Sequence, residues 1–335
     1  MIHNEIIGLI DKVISSQMDS KVLVIGDIIL DEYIECQQSY SISEDTPCVK
    51  IERTAMFAGG AGNVAQNLSA MGINSNLVSV IGEGNESEKL LKLLDKRVET
   101  SFIIKCSDHE IPIKTRIFVH NIKNAILKID KRVTEINQTL VSEKLIDDLD
   151  SIIGDVECIV VSDYGLGLVS EKLLRIIINK ARCSNKHVII DPRGDNPDKY
   201  IGASLITPNL DEFNTLLRTN FQTLRAAVPR AMQLLMEFDI ESIILKNNKE
   251  GSVFIRLHEE ECYVPALSKK NDCTIGAGDS LISAYALGIC KGMSPKESFL
   301  LGNMAASIAV AKPFTYAVTL EDMLRVDFFK YSMKG

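Results

Sequence analysis

The chain contains no tryptophan and, in 335 residues, only five histidines. Its eight cysteines are scattered without a C-x-x-C pair, and the histidines are equally dispersed. This pattern argues against a zinc site and against a disulfide framework, so we expect reduced thiols and a cytoplasmic location. No stretch approaches the ~18 uninterrupted apolar residues of a membrane span. Residues 1–17 are typical of an amphipathic helix that contains acids rather than of a targeting segment.

A basic block is also missing, and the net charge is -8. The long-range field would therefore repel nucleic acid and anionic membranes, so we expect neither as a partner. With 46% hydrophobic and 24% charged residues, the chain is a folded protein rather than a disordered tail or a fibre. It is long enough for one large domain or two modest ones.

Short β-branched runs alternate with helix-length segments such as 62–72, 170–182 and 210–219. Each run ends in Gly, Asp, Asn or Pro, which is typical of buried parallel strands with ligand sites at their polar ends. The alternation predicts a doubly wound α/β domain. The runs are KVLVIGD (21–27), NLVSVIG (76–82), CIVVSDYG (158–165), HVIIDPRG (187–194), SLITPN (204–209) and SIILKN (242–247).

Two segments, 33–57 and 98–133, break this alternation because they are strand-like but mix polar and apolar residues. They predict a small antiparallel sheet attached to the main body. The chain has no internal repeat, low-complexity tract or proline-rich linker. We therefore expect a single domain over residues 1–335 with a small β lid.

The stretch NDCTIGAGDS (271–280) places a carboxylate, Asp279, directly after glycines that open an apolar helix. The free amides of Ile275 to Gly278 at a helix N-terminus form a ready anion site. Asp279 could simply complement the helix dipole. Alternatively, the anion is a phosphoryl group in transfer, and the carboxylate takes the proton of the attacking hydroxyl that stands between the two charges.

Other motifs favour the second interpretation. The first strand ends in GDIILDEY with Asp27 and Asp31, and AGGAGNVAQNLSAMG (58–72) gives a second glycine turn that opens a helix. That turn is not a dinucleotide fingerprint, because the preceding segment is not a buried strand and no acid ends the next one. Asn209 and Glu212 in TPNLDEF are either an ordinary helix start or a support for hydrated Mg²⁺.

In this order the motifs resemble the ribokinase-like, or PfkB-type, carbohydrate kinases over about residues 20–325. Stretches such as VSDYGLG, IDPRGDNPDKYIGASLITPNLDEF and IPIKTRIFVHNIKNAILKID are especially similar to the D-glycero-D-manno-heptose 7-phosphate kinases of this family. Those kinases are often fused to a nucleotidyltransferase domain, whose H-x-G-H motif is absent from this chain. The resemblance implies a three-layer α/β/α, mostly parallel sheet with a small β-sheet lid.

The resemblance also implies roles for individual residues. Asp279 would be the general base, with the amides of Gly276, Ala277 and Gly278 around the transferring phosphoryl group. Further implied positions are Asp31, Gly59, Gly60 and Asn63 for the sugar hydroxyls, Asn209, Lys246, Gly251, Asp272 and Asn303 for the nucleotide, and Glu212 for Mg²⁺ through water. ATP, Mg²⁺ and a monovalent cation such as K⁺ would be the cofactors. A homodimer would form through the β lid.

A phosphorylated sugar would need cations, for which the lid offers Lys114, Arg116, Lys123 and Lys128. Each of them could equally belong to a solvated face. The chain departs from the heptose kinase pattern in two places. Leu166 follows DYG where a lysine is usual, and Pro313 and Phe314 stand where a glycine is expected.

Three hypotheses follow from these observations. The first is an ATP-dependent kinase that phosphorylates a heptose 7-phosphate at its anomeric hydroxyl. The second is a kinase of the same fold for fructose, a pentose, a nucleoside or another sugar phosphate. The third, from a different class, is a non-catalytic sugar or nucleotide sensor, for which Asp279 would be dispensable.

Overall fold

The structure is a computed structural model, which describes residues 2–15, 20–39, 48–120, 125–131, 136, 138–266 and 275–325. Ten α-helices and one short 3₁₀ helix, Pro197–Tyr200, lie in these ranges. The α-helices are α1 (Ile2–Ser15), α2 (Ala61–Ala70), α3 (Asn85–Leu93), α4 (Gln138–Gly154), α5 (Glu171–Cys183), α6 (Leu210–Leu217), α7 (Leu224–Glu237), α8 (Ala277–Cys290), α9 (Pro295–Val310) and α10 (Leu320–Arg325).

The described residues also contain fifteen strands. They are β1 (Lys21–Gly26), β2 (Ile28–Ser39), β3 (Cys48–Gly60), β4 (Asn74–Val78), β5 (Val80–Ile81), β6 (Val98–Glu99), β7 (Ile104–Lys105), β8 (Ile113–Val119), β9 (Leu127–Lys131), β10 (Cys158–Ser162), β11 (His187–Asp191), β12 (Leu205–Ile206), β13 (Ser242–Asn247), β14 (Gly251–Arg256) and β15 (Cys262–Pro265).

Nine of the strands form the main sheet, in the order β15-β14-β13-β12-β11-β10-β1-β4-β6. From β6 to β13 all neighbours run parallel, and only β14 and β15 are added antiparallel. The carboxyl ends of the parallel strands therefore meet at one edge, where ligands bind in such sheets.

Successive side chains along the central strands point to opposite faces of this sheet, so each face has its own hydrophobic core. Val22 and Val24 pack with the apolar residues of α2, α8 and α9, whereas Leu23 and Ile25 pack with those of α4, α5 and α7. All four strand residues are at most 1% exposed. Helices on both faces of a mostly parallel sheet give three layers, which confirms the predicted α/β/α fold.

A second sheet has four strands in the order β3-β2-β8-β9. Its outer pairs are antiparallel, as expected, whereas the central strands β2 and β8 run parallel. The predicted lid segment 98–133 contributes only from Ile113 onwards, because β6 pairs with β4 in the main sheet. No helix of the described residues is long and apolar enough to cross a membrane.

Candidate active site

A cleft with a cavity volume of ≈ 330 Å³ lies at the carboxyl edge of the main sheet and the start of α8. It brings together most of the residues that the sequence predicted for catalysis and nucleotide binding. Its lining includes Asn209, Glu212, Lys246, Gly251, Gly276, Ala277, Gly278, Asp279 and Asn303. Segments that are far apart in the chain meet here because each follows a parallel strand or opens a helix at that edge.

The glycine turn before Asp279 places the start of α8 against the cleft. Gly276 is the N-cap and adopts φ 74°, in the left-handed region that favours glycine. A Cβ atom on Gly276 would lie 2.9 Å from Nδ2 of Asn63. The helix therefore begins at Ala277, and the amides of its first turn have no acceptor within the helix. Such free amides are available to an anion, and an anion site at this helix start stays a prediction.

Asp279 is buried at this helix start, with 6% of its surface exposed. Its Oδ2 accepts a hydrogen bond from Nδ2 of Asn63 at 2.7 Å, and its Oδ1 lies 3.5 Å from the Tyr164 hydroxyl. Burial raises the pKa of Asp279 to about 7, although the Asn63 hydrogen bond opposes this shift. A carboxylate with a pKa near neutrality is well suited to accept a proton from a sugar hydroxyl.

Tyr164 reaches Asp279 from the loop that follows β10. This loop is held by Asp27, whose Oδ2 accepts the backbone N–H groups of Tyr164 at 3.0 Å and Leu166 at 3.2 Å. Burial, followed by the negative charge of Asp279, raises the pKa of Tyr164 well above its ordinary value. The phenol therefore stays protonated and donates towards the carboxylate. Asp27 is thus a loop anchor and separate in role from Asp31.

A lysine surrounded by acids lies beside the helix start, where its Nζ would be 3.4 Å from a Cβ atom placed on Gly278. Nζ of Lys246 donates to Oδ1 of Asp191 at 2.9 Å, and the same oxygen accepts from the Thr207 hydroxyl at 2.7 Å. Burial lowers the pKa of Lys246, but Asp191 and Glu212 outweigh it and leave that pKa above its ordinary value. Lys246 is therefore a permanent cation in the predicted nucleotide site.

Asn209 and Glu212 form a reciprocal capping box at the start of α6. The backbone N–H of Glu212 donates to Oδ1 of Asn209 at 2.9 Å, and that of Asn209 donates to Oε2 of Glu212 at 2.8 Å. The helix-start interpretation is therefore correct, and both residues also line the cleft. Oε1 of Glu212 accepts from Arg193 at 3.3 Å. Burial, then repulsion by Asp191, raises the pKa of Glu212.

A second group of polar residues lies between the start of the four-stranded sheet and the C-terminal segment. Oδ1 of Asp31 accepts from Arg116 at 2.8 Å, and its Oδ2 accepts from the Thr315 hydroxyl at 3.3 Å. The Tyr33 hydroxyl is 2.7 Å from Oγ1 of Thr315. A Cβ atom on Gly59 would lie 2.3 Å from Oδ2 of Asp31, so only glycine leaves room for this carboxylate.

The remaining predicted sugar-site residues take different positions. Gly60 is the N-cap of α2, and Asn63 in that helix contacts Asp279 directly. Lys128 lies opposite Arg116 in the β8–β9 pair and is exposed, so its contact with a sugar stays a prediction. Lys114 places its ammonium group 4.7 Å from the centroid of the Tyr164 ring. Asp272 and Lys123 lie outside the described residues.

Three residues, at two places in the chain, depart from the family pattern, and each has different surroundings. Phe314 adopts φ 61°, which explains why glycine is expected there, and its ring lies 4.6 Å from that of Tyr33 between centroids. Pro313, next to it, is exposed. Leu166 lines a small cavity with Asp27 and His109.

Sequence reasoning missed several residues of the site. Asp191 is the last residue of β11 and Tyr164 lies two residues after β10, so their positions at the ends of parallel strands could have identified them. Arg193 lies in the loop that follows Asp191. Thr315 had no such signal, because it lies 284 residues from Asp31 in the chain.

Comparisons with known proteins agree with this geometry. Residues 19–322 match the family described as "pfkB family carbohydrate kinase". The chain is 30% identical over 306 residues to the "Bifunctional protein HldE" of Pasteurella multocida and 28% identical over 305 residues to that of Actinobacillus succinogenes. Both alignments cover 91% of this chain but only 63% of the relative.

Solved structures share the fold. Arabidopsis thaliana ribokinase, complexed with ribose and ATP, gives a TM-score of 0.72 at 16% identity and covers 92% of this chain and 98% of its own. Phosphofructokinase-2 from Escherichia coli, in complex with potassium, gives a TM-score of 0.74 at 18% identity with the same two coverages.

Proposed function

The chain belongs to the pfkB family of carbohydrate kinases, and on that premise we propose that it transfers the γ-phosphoryl group of ATP to the anomeric hydroxyl of D-glycero-D-manno-heptose 7-phosphate. The observation that carries the reaction type is Asp279, a buried carboxylate with a pKa of about 7 beside the free amides of α8. A phosphotransferase that acts on a sugar hydroxyl needs a base and an anion site in this arrangement.

In the proposed reaction Asp279 takes the proton of the acceptor hydroxyl while that oxygen attacks the γ-phosphorus. The bond from phosphorus to the β,γ-bridging oxygen breaks, and ADP leaves. The amides of Gly276, Ala277 and Gly278 stabilise the charge on the transferring group. Tyr164 and Asn63 hold the carboxylate towards the acceptor. The carboxylate and the phosphoryl group repel each other, and the acceptor hydroxyl separates them in the reactive complex.

The ATP phosphates would lie in the cleft that the start of α8 and Lys246 line side by side. Gly251 and Asn303 line the same cleft further from Asp279, where we place the rest of the nucleotide. We also propose that Asp272 contacts the nucleotide, although this residue lies outside the described part of the chain. We also propose that a monovalent cation such as K⁺ binds to the protein, but we assign no ligands to it.

The cleft suits Mg²⁺ held mainly through water and phosphate. Glu212 and Asp191 supply hard carboxylate oxygens. Burial, followed by repulsion from Asp191, raises the pKa of Glu212, and a bound cation would reduce that repulsion. Within the described part of the chain no group of three or more His, Cys, Asp or Glu side chains could hold a metal by itself. Bound there with ATP, Mg²⁺ would neutralise phosphate charge.

The acceptor would bind between Asp279 and the four-stranded sheet, which we propose as a lid. The carboxylate of Asp31 would accept hydrogen bonds from the hydroxyls of the acceptor, and the amide of Asn63 would donate to them. Gly59 and Gly60 would lie beside the same sugar. Lys114 and Arg193 are the cations that we assign to the 7-phosphate, together with Arg116, whose charge Asp31 already balances. Burial lowers the pKa of Lys114, although the negative charges of Asp31 and Asp130 oppose this shift, so an arriving phosphate would stabilise its ammonium form.

The heptose acceptor is proposed from the resemblance of the sequence motifs to heptose 7-phosphate kinases, and the HldE relatives add only a sequence similarity of 28–30% identity. Because the chain spans 63% of their length, we propose only the kinase activity for it, in a single domain over residues 1–335. One observation favours a different acceptor. Phe314 adds an aromatic ring against Tyr33, next to the Thr315 that contacts Asp31, and this ring would narrow the acceptor site.

An ADP-release assay with Mg-ATP tests the proposal against a panel of heptose 7-phosphate, fructose, fructose phosphates, ribose and adenosine. We expect turnover of heptose 7-phosphate to exceed the others by at least tenfold. Asp279→Asn should lower kcat by about 10²–10⁴-fold because the base is lost. Lys114→Gln should raise KM for a phosphorylated acceptor more than for an unphosphorylated one.

Each other outcome of the panel has a definite meaning. Rapid turnover of another acceptor would replace the heptose assignment and keep the mechanism. Binding of ATP or a sugar without turnover of any panel member, unchanged in Asp279→Asn, would indicate a sensor and contradict the proposed reaction.

A further inference from the structure

We propose that Asn67 is a positioning residue that fixes the direction in which the amide of Asn63 faces Asp279. Asn67 does not reach the cleft, because it is 0% exposed in α2, one turn after Asn63. Its side chain joins three separate parts of the chain: α2, the start of α8 and the segment before α10. This inference rests on the proposed role of Asp279 as the base.

The carbonyl end of the Asn67 amide is fixed by two donors. Its Oδ1 accepts from the backbone N–H of Val318 at 3.0 Å and from the Ser280 hydroxyl at 2.9 Å. A backbone N–H can only donate, so an oxygen rather than a nitrogen must face Val318. The NH₂ end of Asn67 is thereby forced to point the other way, towards Asn63.

The direction of the Asn63 amide follows from this constraint. Nδ2 of Asn67 donates to the backbone carbonyl of Asn63 at 2.9 Å and to its Oδ1 at 3.1 Å. Since an NH₂ group needs an acceptor, Asn63 must present its oxygen to Asn67. Its own NH₂ group then points at Asp279, where Nδ2 donates to Oδ2 at 2.7 Å.

This direction matters for the ionisation of Asp279. The Asn63 donor is the largest of the effects that hold the pKa of Asp279 down against its burial. The other charged groups that act on Asp279 are Asp191 and Asp31, which raise its pKa, and Lys246, which lowers it. A reversed Asn63 amide would put a carbonyl oxygen against the carboxylate, which would favour its protonated form. The base would then be ionised only at higher pH.

Two variants of Asn67 separate this role from simple packing. Asn67→Asp keeps the oxygen that accepts from Val318 and Ser280 but presents a second oxygen to Asn63, so the Asn63 amide should reverse. Asn67→Leu removes both polar ends without adding a charge, so Asn63 is no longer held. The matched control is Ser283→Ala, which removes a buried hydrogen bond from α8 to the Val64 carbonyl in α2 and one within α8 to the backbone carbonyl of Asp279, and leaves the Asn67 contacts in place.

The pKa of Asp279 is measured directly by ¹³C NMR of the side-chain carboxyl in the free full-length protein, assigned with Asp279→Asn. We expect both Asn67 variants to raise this pKa by about one unit or more. The acid limb of the pH profile for kcat should move by the same amount, with whichever acceptor the panel identifies. Ser283→Ala should lower the melting temperature without changing the pKa of Asp279 or the acid limb of the kcat profile.

Several results would overturn the proposal. One is an unchanged Asp279 titration in both Asn67 variants, even if they melt earlier. Another is a shift in Asn67→Asp alone, because it would reflect the added charge. Should Asn67→Leu fail to fold, its place is taken by Asn67→Thr, which also lacks the NH₂ group. The NMR titration needs no acceptor, so failure of the proposed function would appear separately, as absence of turnover in wild-type protein.

Discussion

At the scale of single residues, the proposed role of Asp279 as a base conflicts with the stability of the protein. A carboxylate that is 6% exposed loses most of its hydration, and this loss is why its pKa rises from 3.8 to about 7. Between these two values the folded protein keeps a proton that the unfolded chain has released. Stability therefore falls as the pH rises from about 4 to about 7, and the cost stays constant above that.

Asp279→Asn should consequently stabilise the protein although we expect it to lower kcat. We expect a gain in unfolding free energy on the order of 2–4 kcal/mol at pH 8, from 1.36 kcal/mol per unit of pKa shift, and almost none at pH 4. Urea unfolding of the wild-type protein and the variant at both pH values measures this gain in unfolding free energy. Asp108→Asn, on an exposed turn, serves as the control and should show no such pH dependence. A less stable Asp279→Asn variant at pH 8 would contradict this account of the pKa.

At the scale of elements, an aromatic cluster connects the four-stranded sheet to the segment between α9 and α10. The ring of Phe314 lies 4.6 Å from that of Tyr33, 5.7 Å from that of Phe118 and 6.4 Å from that of Phe57, between centroids. The same segment carries Thr315, which contacts Asp31. The four-stranded sheet and the proposed acceptor site around Asp31 are therefore connected through one short stretch of chain.

The backbone of Phe314 is strained in this cluster, because φ 61° is unfavourable for a residue with a Cβ atom. We expect Phe314→Ala and Phe314→Gly both to destabilise the protein, since each loses the ring contacts. The glycine variant should be the more stable of the two by about 1 kcal/mol, because glycine adopts this φ without strain. Thermal unfolding of the pair measures the difference. Equal stability of the two variants would mean that the backbone is unstrained there.

At the scale of the whole molecule, the four-stranded sheet has one face towards Asp279 and one face outwards. The outward face carries Ile51, Leu127 and Ile129, whose surfaces are 64%, 51% and 48% exposed. Their register partners, Cys36, Ile117 and Thr115, place all three on the face opposite Asp31. Exposed apolar residues gathered on one sheet face are typical of an association surface.

We therefore expect a homodimer that forms through this face. Ile129→Glu should shift the protein to a monomer at micromolar concentration, because it would bury a charge between the two copies. Light scattering after size-exclusion chromatography measures the mass. Met236→Glu is the control, since Met236 is 63% exposed on α7, in a different part of the molecule. A dimer that survives Ile129→Glu, or is lost equally in Met236→Glu, would place the interface elsewhere.

The sequence by itself determined the layers of the fold and most of the residues that meet in the cleft beside α8. Buried β-branched runs such as KVLVIGD become parallel strands, and their polar ends must meet at one edge of the sheet. The glycines before Asp279 fix the start of α8 locally, through the left-handed φ of Gly276. These features depend on short stretches of chain, so a reading of motifs can reach them.

Only the tertiary structure decided what meets Asp31 and what orients Asp279. Thr315 lies 284 residues from Asp31, and Val318 lies 251 residues from Asn67. The parallel direction of β2 and β8, which places Arg116 beside Tyr33 and Asp31, is equally non-local. Such contacts are set by how helices and sheets pack, and no local propensity encodes them because the partners share no turn, strand or helix.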